Sequence, residues 1–280
     1  MKFGVSIFPT HYSIGPAEVA QAVEAAGLES LWFPEHTHIP TQTRFPMGDG
    51  TVPEHYRSTL DPFVALGAAA SVTKTIRLAT GIALIPQRDP LTLAKEIASL
   101  DLVSNGRVIV GIGAGWNEPE TRNHGTDFDH RFKVMRERIA AMKELWTKDV
   151  AEYHGETVEF GPTWSWPKPV QKPHPPIILG GDGPNTLKRA VDYCDGWMPI
   201  GFMGTDGLAP KIAKYREMAA AAGKPRPEVT VFGAVFDAAG IEKAAEAGID
   251  RLVWGLESEP AAKLLPIIEG YGKAAAAYRE

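Results

Sequence analysis

A single cysteine, Cys194, stands in 280 residues, so neither an internal disulfide nor a cysteine-based metal cluster can form. That scarcity suits a reducing cytoplasm. No run of about 18 apolar residues occurs, and a membrane span is not expected. The first residues, Met1 to Phe8, read as a strand and lack the apolar stretch of a signal peptide. Excess positive charge is missing too, since the formal net charge of -5 argues against a general nucleic-acid binder. It leaves room for a local basic pocket around an anionic ligand. What remains is ordinary for a globular chain, with 44% apolar and 22% charged residues. At 280 residues one large core can form without staples.

Short β-rich runs alternate with longer helical patterns along the whole chain, the βα signature of a parallel sheet. Strands are expected near 2–8, 29–33, 76–85, 107–112, 176–180, 196–200, 229–235 and 250–254. Helices are expected near 16–26, 61–73, 90–104, 130–147, 184–193, 207–222, 238–247 and 259–278. Eight of each, within one domain spanning 1–280, predict an α/β fold of the (β/α)₈ barrel type. The segments Glu24 to Phe33 and Ala245 to Trp254 echo each other: a helix ends at a glycine suited to the left-handed position, and a strand follows. Asp192 to Trp197 is a looser third copy. Insertions follow strand 2 (35–60) and strand 4 (113–129), and another precedes strand 5 (148–175), with room for a small hairpin. The first two open on the C-terminal face, where barrel active sites lie.

Strand 2 ends in Phe33-Pro34-Glu35-His36-Thr37-His38. Histidines and a carboxylate at a strand end are placed for acid–base work, and equally for capping and packing. His-x-His would also suit zinc, provided other strand ends supplied ligands. Strand 3 carries Gly81 inside Leu78 to Pro86, which points to a bulge or to tight barrel packing. Strand 4 runs into Gly111-Ile112-Gly113-Ala114-Gly115-Trp116-Asn117. Its G-x-G-x-G spacing is not a dinucleotide fingerprint, and the glycines let the chain pass close to a planar ligand with Trp116 and Asn117 as walls. Strand 5 leads through Gly180-Gly181-Asp182-Gly183-Pro184 directly into a helix. Free N–H groups and the helix dipole there suit a phosphate, with Pro184 at the first helical position and Asp182 turned away. The competing reading is a tight turn capped by Asp182. The cations of helix 130–147, Arg131 among them, read as a solvated face.

Taken together, Glu35-His36, the 111–117 stretch, the linker Pro169 to Pro176, and Gly180 to Pro184 followed by Ala190 and Asp195-Gly196-Trp197 resemble the bacterial luciferase-like superfamily. Within it the chain is most similar to the coenzyme F420-dependent oxidoreductases common in actinobacteria, over nearly its whole length. The resemblance implies a (β/α)₈ barrel with a deazaflavin or FMN ring at the C-terminal mouth and its phosphate at Gly180 to Pro184. It implies a third-strand bulge, often with a non-prolyl cis peptide, at Gly81, Ile82 and Ala83. It also makes His36 the acid–base residue by likeness to deazaflavin-dependent sugar dehydrogenases. Trp116 stands where those dehydrogenases carry an acid, which argues against alcohol oxidation.

Four functions follow. The first is an F420-dependent hydride transfer to or from a small organic substrate, with Phe8, Glu35 and His38 near that substrate and Arg44, Arg88 and Lys188 as the cations to inspect for an anionic cofactor tail. The others are an FMN-dependent monooxygenase, a metal-dependent hydrolase on His36 and His38, and a barrel that binds flavin without turnover. Loop composition at 35–60 and 113–129 favours an apolar organic substrate, and the resemblance is compatible with a homodimer.

Overall fold

A computed structural model describes residues 1–200, 207–233 and 237–278. The strands are β1 (Lys2–Ser6), β2 (Ser30–Phe33), β3 (Arg77–Thr80), β4 (Ala83–Leu84), β5 (Val108–Gly113), β6 (Ala151–His154), β7 (Glu159–Thr163), β8 (Ile177–Gly180), β9 (Gly196–Met198), β10 (Glu228–Phe232) and β11 (Arg251–Gly255). Parallel neighbours run in the order β3-β2-β1-β11-β10-β9-β8-β5, and pairing of β3 with β5 closes the ring. β4 continues the third position after a break, so nine segments make eight barrel positions. β6 and β7 form a separate antiparallel hairpin in the insertion before β8.

The helices are α1 (Pro16–Ala25), α2 (Glu54–Ser58), α3 (Pro62–Val72), α4 (Pro90–Val103), α5 (Glu118–Asn123), α6 (Arg131–Thr147), α7 (Thr186–Tyr193), α8 (Leu208–Ala221), α9 (Ala238–Glu246) and α10 (Ala261–Ala276). Asp-Pro pairs start two of them. Asp61 accepts from the N–H groups of Phe63 and Val64, and Asp89 from that of Thr92, while Pro62 and Pro90 occupy positions that need no donor. At the echoed segments Gly27 (φ 68°) and Gly248 (φ 85°) take the left-handed conformation. The next residues close the turn through Leu28 N–H to Val23 O (3.1 Å) and Ile249 N–H to Ala244 O (3.0 Å).

The third copy behaves differently. Gly196 lies inside β9, where an added Cβ would stand 2.9 Å from the Glu228 carbonyl oxygen. Two short helices, α2 and α5, form within segments expected to be loops. The expected strand 229–235 ends at Phe232, and its positions 234 and 235 lie outside the described residues.

Inside the ring sits a small core of Trp32, Ala79, Ile109, Ile178, Met198 and Val253. The larger core lies between strands and helices, where Trp254 stacks between Phe3 (5.3 Å) and Tyr271 (4.8 Å). Each large apolar side chain buried this way contributes roughly 1.5–3 kcal/mol. At the N-terminal end Arg251 is buried and bonds both Glu29 carboxylate oxygens at 2.8 Å, which plugs the barrel floor. The insertions after β2 and β5 therefore face the open end. Among the described residues no helix is long and apolar enough to cross a membrane.

Candidate active site

A cavity of about 750 Å³ opens at the C-terminal ends of the strands. That size lies within the usual range for small-molecule sites. Its floor is made where the third strand breaks. The Gly81–Ile82 peptide is cis, and Ile82 lines the cavity. A Cβ at Gly113 would fall 1.8 Å from Ile82 Cδ1, and one at Gly180 would fall 3.0 Å from Ile82 Cγ2. The two glycines thus make room for the Ile82 side chain itself. Gly81 is equally constrained, with Phe232 Cε2 2.8 Å from where its Cβ would stand.

Beside this floor His36 is buried, and its Nδ1 lies 2.8 Å from Glu120 Oε2. Glu120 comes from α5, is fully buried, and accepts from the Thr37 N–H through Oε1 at 3.3 Å. In a bond to a carboxylate the imidazole Nδ1–H donates, which leaves Nε2 as the ring nitrogen outside this bond. Aromatic rings wall this part of the cavity: Tyr56 lies 5.1 Å and Trp116 5.7 Å from His36 between ring centres. Burial raises the Tyr56 phenol and lowers the His55 imidazole, so both lining groups stay neutral near pH 7.

On the far side β8 runs into Gly180 and Gly181, the latter at φ 112°. No side chain caps the first turn of α7 at Asn185, so backbone donors remain there. Arg189 lies 3.7 Å and Arg131 4.7 Å from the centre of the Phe132 ring, and all three line the cavity. Arg131 also donates to the carbonyls of Gly115 (3.2 Å) and Phe128 (2.6 Å), which fixes its guanidinium. Backbone N–H groups, the Thr186 hydroxyl and two guanidiniums form a donor set that fits a phosphate-bearing cofactor.

The luciferase-like monooxygenase family model matches residues 1–277. The chain belongs to that family. An uncharacterized protein of Mycobacterium tuberculosis is 47% identical over 203 residues, covering 71% of this chain and 72% of the relative. The oxygenase component of a flavin-dependent trigonelline monooxygenase from Acinetobacter baylyi is 35% identical over 176 residues, 62% of this chain and 44% of the relative. The chain thus aligns with less than half of that longer protein. The structure of an F420-dependent secondary alcohol dehydrogenase in complex with an F420-acetone adduct shares the fold, with TM-score 0.76 at 20% identity and 100% of both chains covered. The luciferase-like chain is accordingly an oxidoreductase or monooxygenase, with flavin- and F420-dependent proteins both among its neighbours.

Of the residues singled out in the sequence, Phe8, Glu35, His36, Gly81, Ile82, Trp116, Gly180, Gly181, Gly183 and Pro184 line the luciferase-like cavity. Glu35 does so with its carboxylate committed to the Leu84 N–H and to Arg88 Nε, both 2.6 Å away. Arg88 also pairs with Asp61 and Glu96, so neither it nor Glu35 offers a free charge. The Arg88 pKa is raised: burial opposes this, and the Glu35 and Asp61 carboxylates outweigh burial.

Four residues lie elsewhere. His38 turns to Thr37 (2.9 Å) and Asn123 (3.0 Å), so it does not converge with His36 on a metal. Among the described residues no group of three His, Cys, Asp or Glu side chains is arranged to hold one. Ala83 is buried in β4, and Asn117 is buried with Oδ1 accepting from the Thr43 hydroxyl at 3.2 Å. Asp182 pairs with Lys211 at 2.6 Å, turned away from the glycine turn as the phosphate reading required, and does not cap it as the competing reading had it.

Further corrections concern the helices. Pro184 precedes α7 by two residues instead of opening it, because α7 begins only at Thr186. Arg44 and Lys188 are exposed and do not line the cavity. Nor is the cationic row of α6 simply a solvated face. Arg131 enters the site, and Arg138 donates to the carbonyls of Ile85 (3.0 Å) and Arg88 (2.7 Å). Tyr56, Glu120, Arg131 and Arg189 are among the site residues the sequence pattern missed. Of the last three only Arg189 left a signal, one turn beyond the start of the helix that follows the glycines.

Proposed function

We propose that this protein is a coenzyme F420-dependent oxidoreductase that moves a hydride between the deazaflavin and a small organic substrate. When bound, the deazaflavin supplies the carbon that gives or takes the hydride. The turn from Gly180 to Asn185, the Thr186 hydroxyl, Arg131 and Arg189 would hold its phosphate and anionic tail. His36, oriented by Glu120, is the group that takes or returns the accompanying proton at Nε2. Tyr56 and Trp116 keep water from that atom by packing around the imidazole.

The observation that carries this reading is the arginine pair on Phe132. Two guanidiniums beside the turn match the added negative charge of a tail that carries carboxylates beyond its phosphate. The second reading, an FMN-dependent monooxygenase, rests on the same turn and on the flavin-dependent relative.

Fluorescence titration of the purified chain with F420 and with FMN, repeated on Arg131→Ala and Arg189→Ala, separates the two. F420 binding tighter than FMN, weakened about tenfold by each substitution, is expected from the loss of one charge-assisted contact. FMN binding tighter, with Arg189→Ala silent, overturns the F420 assignment.

A further inference from the structure

The charges of the cavity are sorted by sector. Arg131 and Arg189 come from the chain following β5 and β8. The other side is built by the end of β1, the loop after β2 and the end of β11. Its lining there includes Phe8, His36, His55, Tyr56 and Glu257, and no Lys or Arg among the described residues. Positions 201–206 and 234–236 carry no Lys or Arg in the sequence. Arg88, behind Glu35, is taken up by three carboxylates. The Glu257 carboxylate, by contrast, accepts no hydrogen bond from a described residue; it acts on the nearby His55 imidazole through its charge, which burial of that ring outweighs, and it faces the cavity at its exposed rim.

The walls of this sector are rings. Tyr56 is the hub, with ring centres at 4.7 Å to Phe8, 4.9 Å to His55, 5.1 Å to His36 and 6.3 Å to Trp116. Such a surface favours a flat unsaturated molecule, each stacked ring contributing roughly two- to tenfold in affinity beyond its area. A carboxylate, sulfonate or phosphate entering here would leave its hydration shell and meet a carboxylate instead of a cation.

We propose that the Tyr56 sector takes a flat aromatic or heteroaromatic substrate that carries no acidic group. Calling that ligand a substrate rests on the oxidoreductase reading; its chemical class rests on the walls and charges alone.

Benzamide, benzoate and benzamidinium share one shape and differ in charge, so they test this without cofactor. Saturation-transfer NMR titrations of all three are run on the wild-type chain, on Tyr56→Ala and on Glu257→Lys. Only signal lost in Tyr56→Ala counts, which separates this sector from the arginine end. Benzamide and benzamidinium are expected to bind at least about tenfold more tightly than benzoate. Glu257→Lys, at an exposed position, should raise benzoate and lower benzamidinium by about tenfold each. Tyr56-dependent benzoate binding equal to or tighter than benzamide, or an order unmoved by Glu257→Lys, overturns the proposal. Because no cofactor enters this experiment, the F420 titration stands or falls separately.

Discussion

Replacing Gly113 with alanine tests whether the glycines at the cavity floor exist to seat Ile82. The new Cβ would lie 1.8 Å from Ile82 Cδ1 and 3.2 Å from Cγ1, against the roughly 3.5–4.0 Å at which carbons pack. Ile82 would have to move by about 2 Å, and overpacking of this kind costs about 1–3 kcal/mol. For a chain of this size that lowers the melting temperature by roughly 2–4 °C per kcal/mol.

Ile82→Val deletes Cδ1, the atom in the way. Because Ile82 is only half-buried, that change alone should cost at the low end of about 0.5–1.5 kcal/mol. In the Ile82→Val background Gly113→Ala should then cost about 1 kcal/mol less than in the wild type. Urea unfolding of the four chains measures the coupling, and cofactor affinity should follow the same order, since Ile82 lines the cavity. Gly111→Ala is the control. Its Cβ would meet the Thr80 carbonyl oxygen at 2.1 Å, a backbone atom that no truncation of Ile82 relieves. Additivity of the Gly113 and Ile82 changes within about 0.5 kcal/mol would refute the packing account.

Three further outcomes are expected. Glu120→Ala strands the buried Nδ1 of His36, costing about 1–3 kcal/mol, with a smaller loss at the exposed Thr37, whereas Glu120→Gln, which keeps one acceptor, should cost less in thermal unfolding. Glu24 has its pKa lowered to about 2: burial alone would raise it, but donors from Thr75, Lys74 and Ile76 converge on its carboxylate and outweigh that. Glu24→Gln should therefore lose on the order of 1–2 kcal/mol at pH 7 after solvent screening, with the gap between the chains closing as pH falls from about 4.5 towards 2. Unchanged differences at pH 7 and pH 3 would contradict this. Cys194 is buried and its thiol pKa is raised by that burial, so a thiol-specific chromogenic reagent should release no colour from the native chain and one equivalent after denaturation.

Local pattern carried most of the fold. Alternating apolar runs, the Asp61-Pro62 and Asp89-Pro90 starts and the glycine stops at Gly27 and Gly248 are written in neighbouring residues, because helix starts, helix ends and strand faces depend on contacts a few positions apart. The sequence by itself therefore determined the barrel, the position of the three insertions and the strand ends that meet at its mouth. It also pointed to the glycine turn before α7 and to His36.

Tertiary structure alone decided what each of these groups touches. His36 meets Glu120 across 84 positions, and Arg88 takes Glu35 across 53, so one carboxylate orients an imidazole while the other is neutralised. Arg131 and Arg189 come from different helices and share the Phe132 ring only when β5 and β8 stand side by side in the barrel. Charge, burial and hydrogen bonding act over a few ångströms of space, and the spacing of residues along a chain does not encode which distant groups closure of the barrel brings within that reach.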